Sequence, residues 1–168
     1  DNSSTYIDEA NKIYLGHTRL AIQDTSTNGN QPMISQDENF IIIFNGEIYN
    51  FKYLKNKNFK NDTKFKSKTD TEVILNLFIK FGEKFISMLN GIFTICIYNK
   101  LDKSLFIYRD GSGVKPLYFI HNSNGFAFSS EIKAIIEIIE PRQLKEINTE
   151  SIYYYLKYLW CPTSDTLF

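Results

Sequence analysis

The sequence predicts an α+β fold, with sheets of short β-strands covered by helices. Three observations carry this. Runs rich in β-branched and aromatic residues recur, two stretches place apolar residues at i, i+3 and i+4, and Asn-Gly or Asp-Gly pairs punctuate the intervals. The expected strands are Ile13–Leu15, Arg19–Ile22, Phe40–Phe44, Ile92–Tyr98, Leu105–Tyr108, Leu117–Ile120 and Phe126–Ser129. Aromatics at 15% favour sheets, where flat rings pack on pleated faces. Between Thr71 and Leu89 the apolar positions Val73, Ile74, Leu77, Phe78, Phe81, Phe85, Ile86 and Leu89 form a buried helical stripe. Gly82 is expected to divide this stripe into two helices, with Asn90-Gly91 capping the second. Ile132–Ile139 reads as a shorter helix with Ile132, Ile135, Ile136 and Ile139 inward, and Ile152–Trp160 as another. Lys52–Lys68, dense in Lys and Asn, reads as a solvated loop.

Composition narrows the function. The 168 residues make one domain of ordinary size, with 19 basic residues against 19 acidic ones. That balance leaves no cationic excess to neutralise phosphates, so neither nucleic acid nor a membrane surface is an expected partner. No apolar run approaches the ~18–20 residues needed to cross a bilayer. Cys96 and Cys161 form no disulfide framework, and with only His17 and His121 beside them no metal site is expected. The expected setting is the cytoplasm.

Several motifs carry two readings. In Phe44-Asn45-Gly46-Glu47-Ile48-Tyr49-Asn50 the local reading of Asn-Gly is a turn. The chemical reading is an oxyanion hole, in which the Asn45 amide and the Gly46 N–H aim at one carbonyl oxygen. Thr69-Asp70-Thr71-Glu72 fits a capping box at a helix start and leaves Asp70 free to meet an ammonium. Arg19 is by default an exposed cross-strand partner, though its guanidinium suits a carboxylate through two parallel hydrogen bonds. Arg109-Asp110-Gly111-Ser112-Gly113-Val114-Lys115-Pro116 lacks Walker spacing and reads as a tight connection braced by buried Arg and Asp. Cys96, inside an apolar strand, reads as an inert core thiol.

The order of the motifs is more specific than any of them. Leu15-Gly16-His17-Thr18-Arg19-Leu20-Ala21-Ile22, Gln31-Pro32-Met33, Asn45-Gly46-Glu47-Ile48-Tyr49-Asn50 and Thr69-Asp70-Thr71-Glu72-Val73-Ile74 come first. Leu89-Asn90-Gly91-Ile92-Phe93, Tyr108-Arg109-Asp110, Lys115-Pro116-Leu117-Tyr118 and Ser129-Ser130-Glu131-Ile132-Lys133-Ala134 follow. The series resembles the glutaminase domain of the asparagine synthetase family, the class II amidotransferases with an N-terminal nucleophile. The resemblance implies a four-layer αββα sandwich over residues 1–150, with 151–168 entering a synthetase domain. It implies hydrolysis of glutamine to glutamate and ammonia, the ammonia passing to that second domain for ATP-dependent amidation of aspartate.

The resemblance also assigns residues. Asn45 and Gly46 would hold the oxyanion, Arg19 the substrate carboxylate and Asp70 its ammonium. Leu20, Ala21, Ile22, Gln23 and Glu47 would line the pocket. No cofactor is implied for this domain; ATP and Mg belong to the synthetase domain, and a homodimer is compatible. The family's nucleophile is an N-terminal cysteine whose α-amino group acts as base. This chain opens at about the aspartate of the family's Arg-Gly-Pro-Asp segment, so the cysteine, first strand and first helix are expected to be missing and the chain inactive alone. Two alternatives remain open: an amidotransferase for a sugar carboxylate or other acid, and a non-catalytic scaffold of the same fold.

Overall fold

The computed structural model describes residues 2–21, 24–59, 64–138 and 147–161. Contacts divide the chain into two compact units, Asp1–Leu117 and Tyr118–Phe168.

The first unit opens with a hairpin of β1 (Asn2–Asp8) and β2 (Ile13–Arg19), paired antiparallel from Asn2↔Arg19 to Asp8↔Ile13. The polar Asn2-Ser3-Ser4 start hides β1 from a reading of propensity; pairing along its whole length overrides that. The two separate runs expected at Ile13–Leu15 and Arg19–Ile22 are one strand ending at Arg19, and Ile22 and Gln23 lie outside the described residues.

A second sheet has the order β3-β4-β5-β6, all antiparallel: β3 (Met33–Ile34), β4 (Phe40–Ile48), β5 (Gly91–Asn99) and β6 (Ser104–Arg109). Between β4 and β5 lie α1 (Phe51–Asn58), α2 (Asp70–Phe81) and a 3-10 helix, Gly82–Met88. Their apolar stripe meets one face of the sheet. Val73, Ile74, Leu77, Phe78 and Phe85 are buried against Ile42 and Phe44 of β4 and Phe93, Ile95 and Ile97 of β5. Phe78 sits edge-on to Phe40 and Phe85, with centroids 5.8 and 5.6 Å away. On the other face, Tyr98 packs against Tyr6 of the hairpin and its hydroxyl donates to Asp8 Oδ2 at 3.1 Å.

Four further expectations fail in this unit, each for a tertiary reason. The supposed loop Lys52–Lys68 contains α1, anchored by buried Leu54; its lysines are adequate helix formers, and one apolar anchor makes no visible stripe. Asn45-Gly46 is not a turn: both residues sit inside β4, opposite Thr94 and Phe93. Asn90-Gly91 caps no helix, because the 3-10 helix ends at Met88 with Leu89 as its cap and Gly91 opens β5. Arg109 is exposed, so only Asp110 is a buried brace; its carboxylate accepts from the N–H groups of Phe93, Val114 and Lys115 at 3.2, 2.9 and 3.0 Å. Cys96 lies buried in β5, where desolvation pushes its thiol pKa up and leaves it inert.

The second unit holds the hairpin β7 (Tyr118–Asn122) and β8 (Gly125–Ser129), then α3 (Ile132–Ile138) and α4 (Thr149–Tyr158). Of the isoleucines expected inward on α3, Ile135 is buried and Ile136 is exposed; Ile139 is outside the described residues. Asn148 caps α4, its Oδ1 accepting from Glu150 and Ser151 N–H at 3.1 Å each. The domain end expected at residue 150 falls within this helix. Among the described residues no helix is long and apolar enough to cross a membrane.

Candidate active site

Residue direction along β4 builds the site. In an antiparallel ladder, alternate residues turn their N–H and C=O groups to opposite edges of the strand. Ile42, Phe44, Gly46 and Ile48 share one edge, the side of β3. Ile42 pairs with Met33. Phe44 lies past the end of β3, and its N–H donates to Gln31 Oε1 at 2.6 Å. The Ile48 N–H donates to Asp70 Oδ2 at 3.0 Å. Gly46 lies between them. Its β5 partner Phe93 turns its N–H and C=O to Asp110, so the Gly46 pair exchanges no ladder bonds and the Gly46 N–H faces the open edge. Only glycine fits there: a Cβ would lie 2.7 Å from Phe93 Cα and closer still to Ile92 O, both backbone atoms that cannot yield.

That edge opens onto a cavity of about 310 Å³. Of the residues expected to bind substrate, Arg19, Leu20, Asn45, Gly46, Glu47 and Asp70 all line it. Ala21 is half-buried and does not line it, while Ile22 and Gln23 are outside the described residues.

Arg19, the last residue of β2, is held by the loop that follows. Its Nη1 donates to Ser26 O at 2.9 Å and to Asn30 Oδ1 at 3.2 Å, and its Nη2 to Asp24 O. The Asp24 carboxylate turns away to the Lys68 and Ser26 N–H groups, which pull its pKa down to about 2. The guanidinium is therefore oriented by neutral acceptors. Gly29 sets its position: a Cβ there would meet Arg19 Cζ at 2.8 Å and Thr69 Cγ2 at 2.9 Å.

Asp70 is the first residue of α2 and is buried. Thr69 caps the helix, accepting from the Glu72 N–H at 3.4 Å. The return half of the capping box is absent, because the Glu72 carboxylate binds Lys66 N, Ser67 N and Ser67 Oγ at 2.6–2.8 Å. Asp70 is thus left to face the cavity beside Ile48 and Thr71, whose N–H groups it accepts at 3.0 Å each. Burial raises its pKa, those hydrogen bonds oppose the rise, and Glu47 adds to it. An anionic Asp70 is thus in want of a cation.

His17, Gln31 and Lys115 are among the lining residues to which the sequence assigns no role. His17 Nε2 lies 3.1 Å from Phe44 O, which makes it the protonated nitrogen, and its buried Nδ1 has no partner among the described residues. Desolvation lowers the His17 pKa, the hydrogen bond to the Phe44 carbonyl opposes this, and the Arg19 charge lowers it further, which favours the neutral ring. Gln31 stood in the motif series as part of Gln-Pro-Met, and Lys115 as part of Lys-Pro-Leu-Tyr; their spacing along the chain could not show that they meet here. No group of three His, Cys, Asp or Glu side chains able to hold a metal ion gathers among the described residues.

Known proteins resemble this chain in sequence and fold. The glutamine amidotransferase domain family matches residues 1–168. A putative glutamine-hydrolysing asparagine synthetase 2 of Methanocaldococcus jannaschii is 37% identical over 171 residues, covering 93% of this chain and 32% of that protein. Asparagine synthetase 2 of Oryza sativa subsp. japonica is 42% identical over 76% of this chain and 21% of its own length. Asparagine synthetase 1 of Bacillus subtilis is 35% identical over 99% and 26%. The chain thus spans a third or less of these relatives. Among solved structures, the glutamine PRPP amidotransferase of B. subtilis aligns with a TM-score of 0.63 and 25% identity, over 73% of this chain and 28% of that one. The mixed fold with its antiparallel sheets is therefore one that amidotransferases use. With its edge-on glycine, arginine and aspartate around one cavity, the chain belongs to the glutamine amidotransferase domain family, in the form carried by glutamine-hydrolysing asparagine synthetases.

Proposed function

We propose that the cavity binds glutamine and hydrolyses its side-chain amide, releasing ammonia for the amidation of aspartate in a synthetase domain that uses ATP and Mg. The observation that carries this is the convergence of Arg19 and Asp70 on one cavity, with Asn45 and the open Gly46 N–H between them in β4. A free amino acid needs a cationic and an anionic clamp, since either charge buried alone is costly. Arg19 pairs with the α-carboxylate; Asp70, with Glu47 nearby, pairs with the α-ammonium. The amide tip then meets Asn45 and Gly46.

Attack by a thiolate on the amide carbon forms a C–S bond and moves the carbonyl electrons onto oxygen, where the Asn45 Nδ2 and Gly46 N–H donors stabilise it. Collapse breaks the C–N bond, and the leaving nitrogen departs as ammonia with the proton taken from the thiol. Water then cleaves the thioester to glutamate. The nucleophile is a cysteine with a free α-amino group, a role that neither buried Cys96 nor Cys161 fills. These 168 residues by themselves are expected to bind glutamine without turning it over. The four-layer αββα sandwich is the fold in which we read them.

Calorimetry on this chain should show glutamine binding that Arg19→Ala weakens by about tenfold or more, the worth of one charged hydrogen-bonded pair. Glutaminase activity should appear only when the protein includes residues encoded before Asp1 that supply the cysteine. Turnover by residues 1–168 at a comparable rate would show that the nucleophile is misassigned, and no glutamine binding at all would favour a scaffold.

A further inference from the structure

We infer that Gln31 is a positioning residue for the amide-cleaving end of the cavity, acting as a one-residue extension of the sheet that fixes the strand carrying Asn45 and Gly46. This rests on the glutamine reading above. The register of β3 on β4 pairs Met33 with Ile42, so two residues earlier Gln31 falls opposite Phe44. The strand has already ended there. In place of a backbone partner, the Gln31 side-chain amide bonds both polar groups of Phe44: Oε1 accepts from its N–H at 2.6 Å, and Nε2 donates to its carbonyl at 3.2 Å. A primary amide carries one acceptor and donors in the same plane, the pattern a neighbouring strand would present. The Phe44 N–H needs an acceptor, which fixes the amide's orientation.

Three further bonds make this a node. The same Nε2 reaches Thr71 Oγ1 at 3.4 Å, beside Asp70. The Gln31 carbonyl accepts from Ser4 Oγ at 2.6 Å, tying it to β1. His17 Nε2 gives the Phe44 carbonyl its second donor. Gln31 is buried at 6% exposure and lines the cavity. The Phe44 carbonyl shares its peptide plane with the Asn45 N–H, so holding one orients the next. Along the open edge of β4, Gln31 on Phe44 and Asp70 on Ile48 flank the free Gly46 N–H. Gln31 thereby sets where the two oxyanion donors stand relative to the ammonium clamp.

The test uses the protein that includes the residues encoded before Asp1, with steady-state glutamine hydrolysis as readout. Gln31→Ala should lower kcat by about 10- to 100-fold, the effect of misplacing catalytic donors by a fraction of an ångström to one ångström, while KM stays within about threefold because Arg19 and Asp70 are untouched. Gln31→Glu discriminates further. Its carboxylate accepts from the Phe44 N–H but turns a lone pair on the Phe44 carbonyl; once protonated it offers one donor and one acceptor, as the amide does. The ratio of its kcat to the parent's should therefore rise as pH falls. His17, Asp70, Glu47, Arg19 and Lys115 face the same cavity, and the parent measured over the same pH range reports their own titration. A kcat within threefold of the parent for Gln31→Ala, or a loss expressed in KM alone, overturns the inference. If Gln31→Ala does not fold, a pH-independent Gln31→Glu ratio overturns it instead. A parent that neither binds nor hydrolyses glutamine removes the functional reading and this inference with it; an active parent with an indifferent Gln31→Ala removes only this inference.

Discussion

Asn45-Gly46 and Asn124-Gly125 share a dipeptide and have opposite fates. The second stands where the dipeptide is expected. The Asn124 N–H donates to Asn122 Oδ1 at 2.8 Å, Gly125 pairs with Asn122 across a tight loop, and its φ of 136° is one that side chains rarely adopt. Around Gly125 there is open space: an added Cβ would meet nothing within 4 Å. Gly46 runs on in a strand between crowded neighbours, and there a Cβ would strike the backbone of Ile92 and Phe93. Gly125 answers to conformation alone, whereas Gly46, with a φ of 158°, answers to proximity as well. Proximity is what leaves a backbone N–H uncovered at the cavity.

Three substitutions separate these demands. The largest effect is expected for Gly46→Ala, which drives a methyl group into an unyielding strand and should cost about 3 kcal/mol or more of stability, at the upper end for overpacking. A thermal melt within a degree of the parent would show that the strands part easily and that the glycine serves something else. Next is Asp70→Asn, which should weaken glutamine binding by about 10- to 150-fold, the worth of a hydrogen bond to a charged group. Its pH counterpart follows from the sign of the shift. Burial raises the Asp70 pKa, so the carboxylate that receives an ammonium is lost on acidification before an ordinary aspartate would be. Affinity should decline with falling pH from above the usual carboxylate range, and Asp70→Asn should flatten that decline. In the unliganded protein the same raised pKa means that ionising Asp70 costs stability as pH rises through it. The smallest effect belongs to Gly125→Ala, about 1–2 kcal/mol from the unfavourable φ alone, with glutamine affinity unchanged in the same calorimeter. A binding defect in that variant would break the comparison.

Much of this was legible in the sequence where local and tertiary forces agree. The run Phe40–Phe44 and the stripe Val73–Phe78 form β4 and α2 because an unbroken β-branched and aromatic run and helical spacing match the core they build. Thr69 caps as its neighbours suggest, yet the Glu72 partner was drawn to the Lys66–Ser67 backbone, which no local motif encodes. Lys52–Lys68 reads as a loop although α1 runs into it, because one buried Leu54 among lysines produces no period. Arg19, Asn45, Gly46 and Asp70 were identified by the order of motifs across the chain; none of them would have stood out alone. The loop that grips Arg19 and the Gln31 amide leave no trace in spacing, since their hydrogen bonds join side chains to groups 5 to 40 residues away.

Gly29 has a consequence for the thermodynamics of recognition. With no side chain of its own, it lets the arginine head settle into a mould of carbonyls, while two main-chain amides immobilise the opposing acid. Both poles of the cavity are thus frozen before any ligand arrives. An entering zwitterion orders very little of its host, and the rotational freedom that flexible charged side chains ordinarily surrender on association has already been given up in folding.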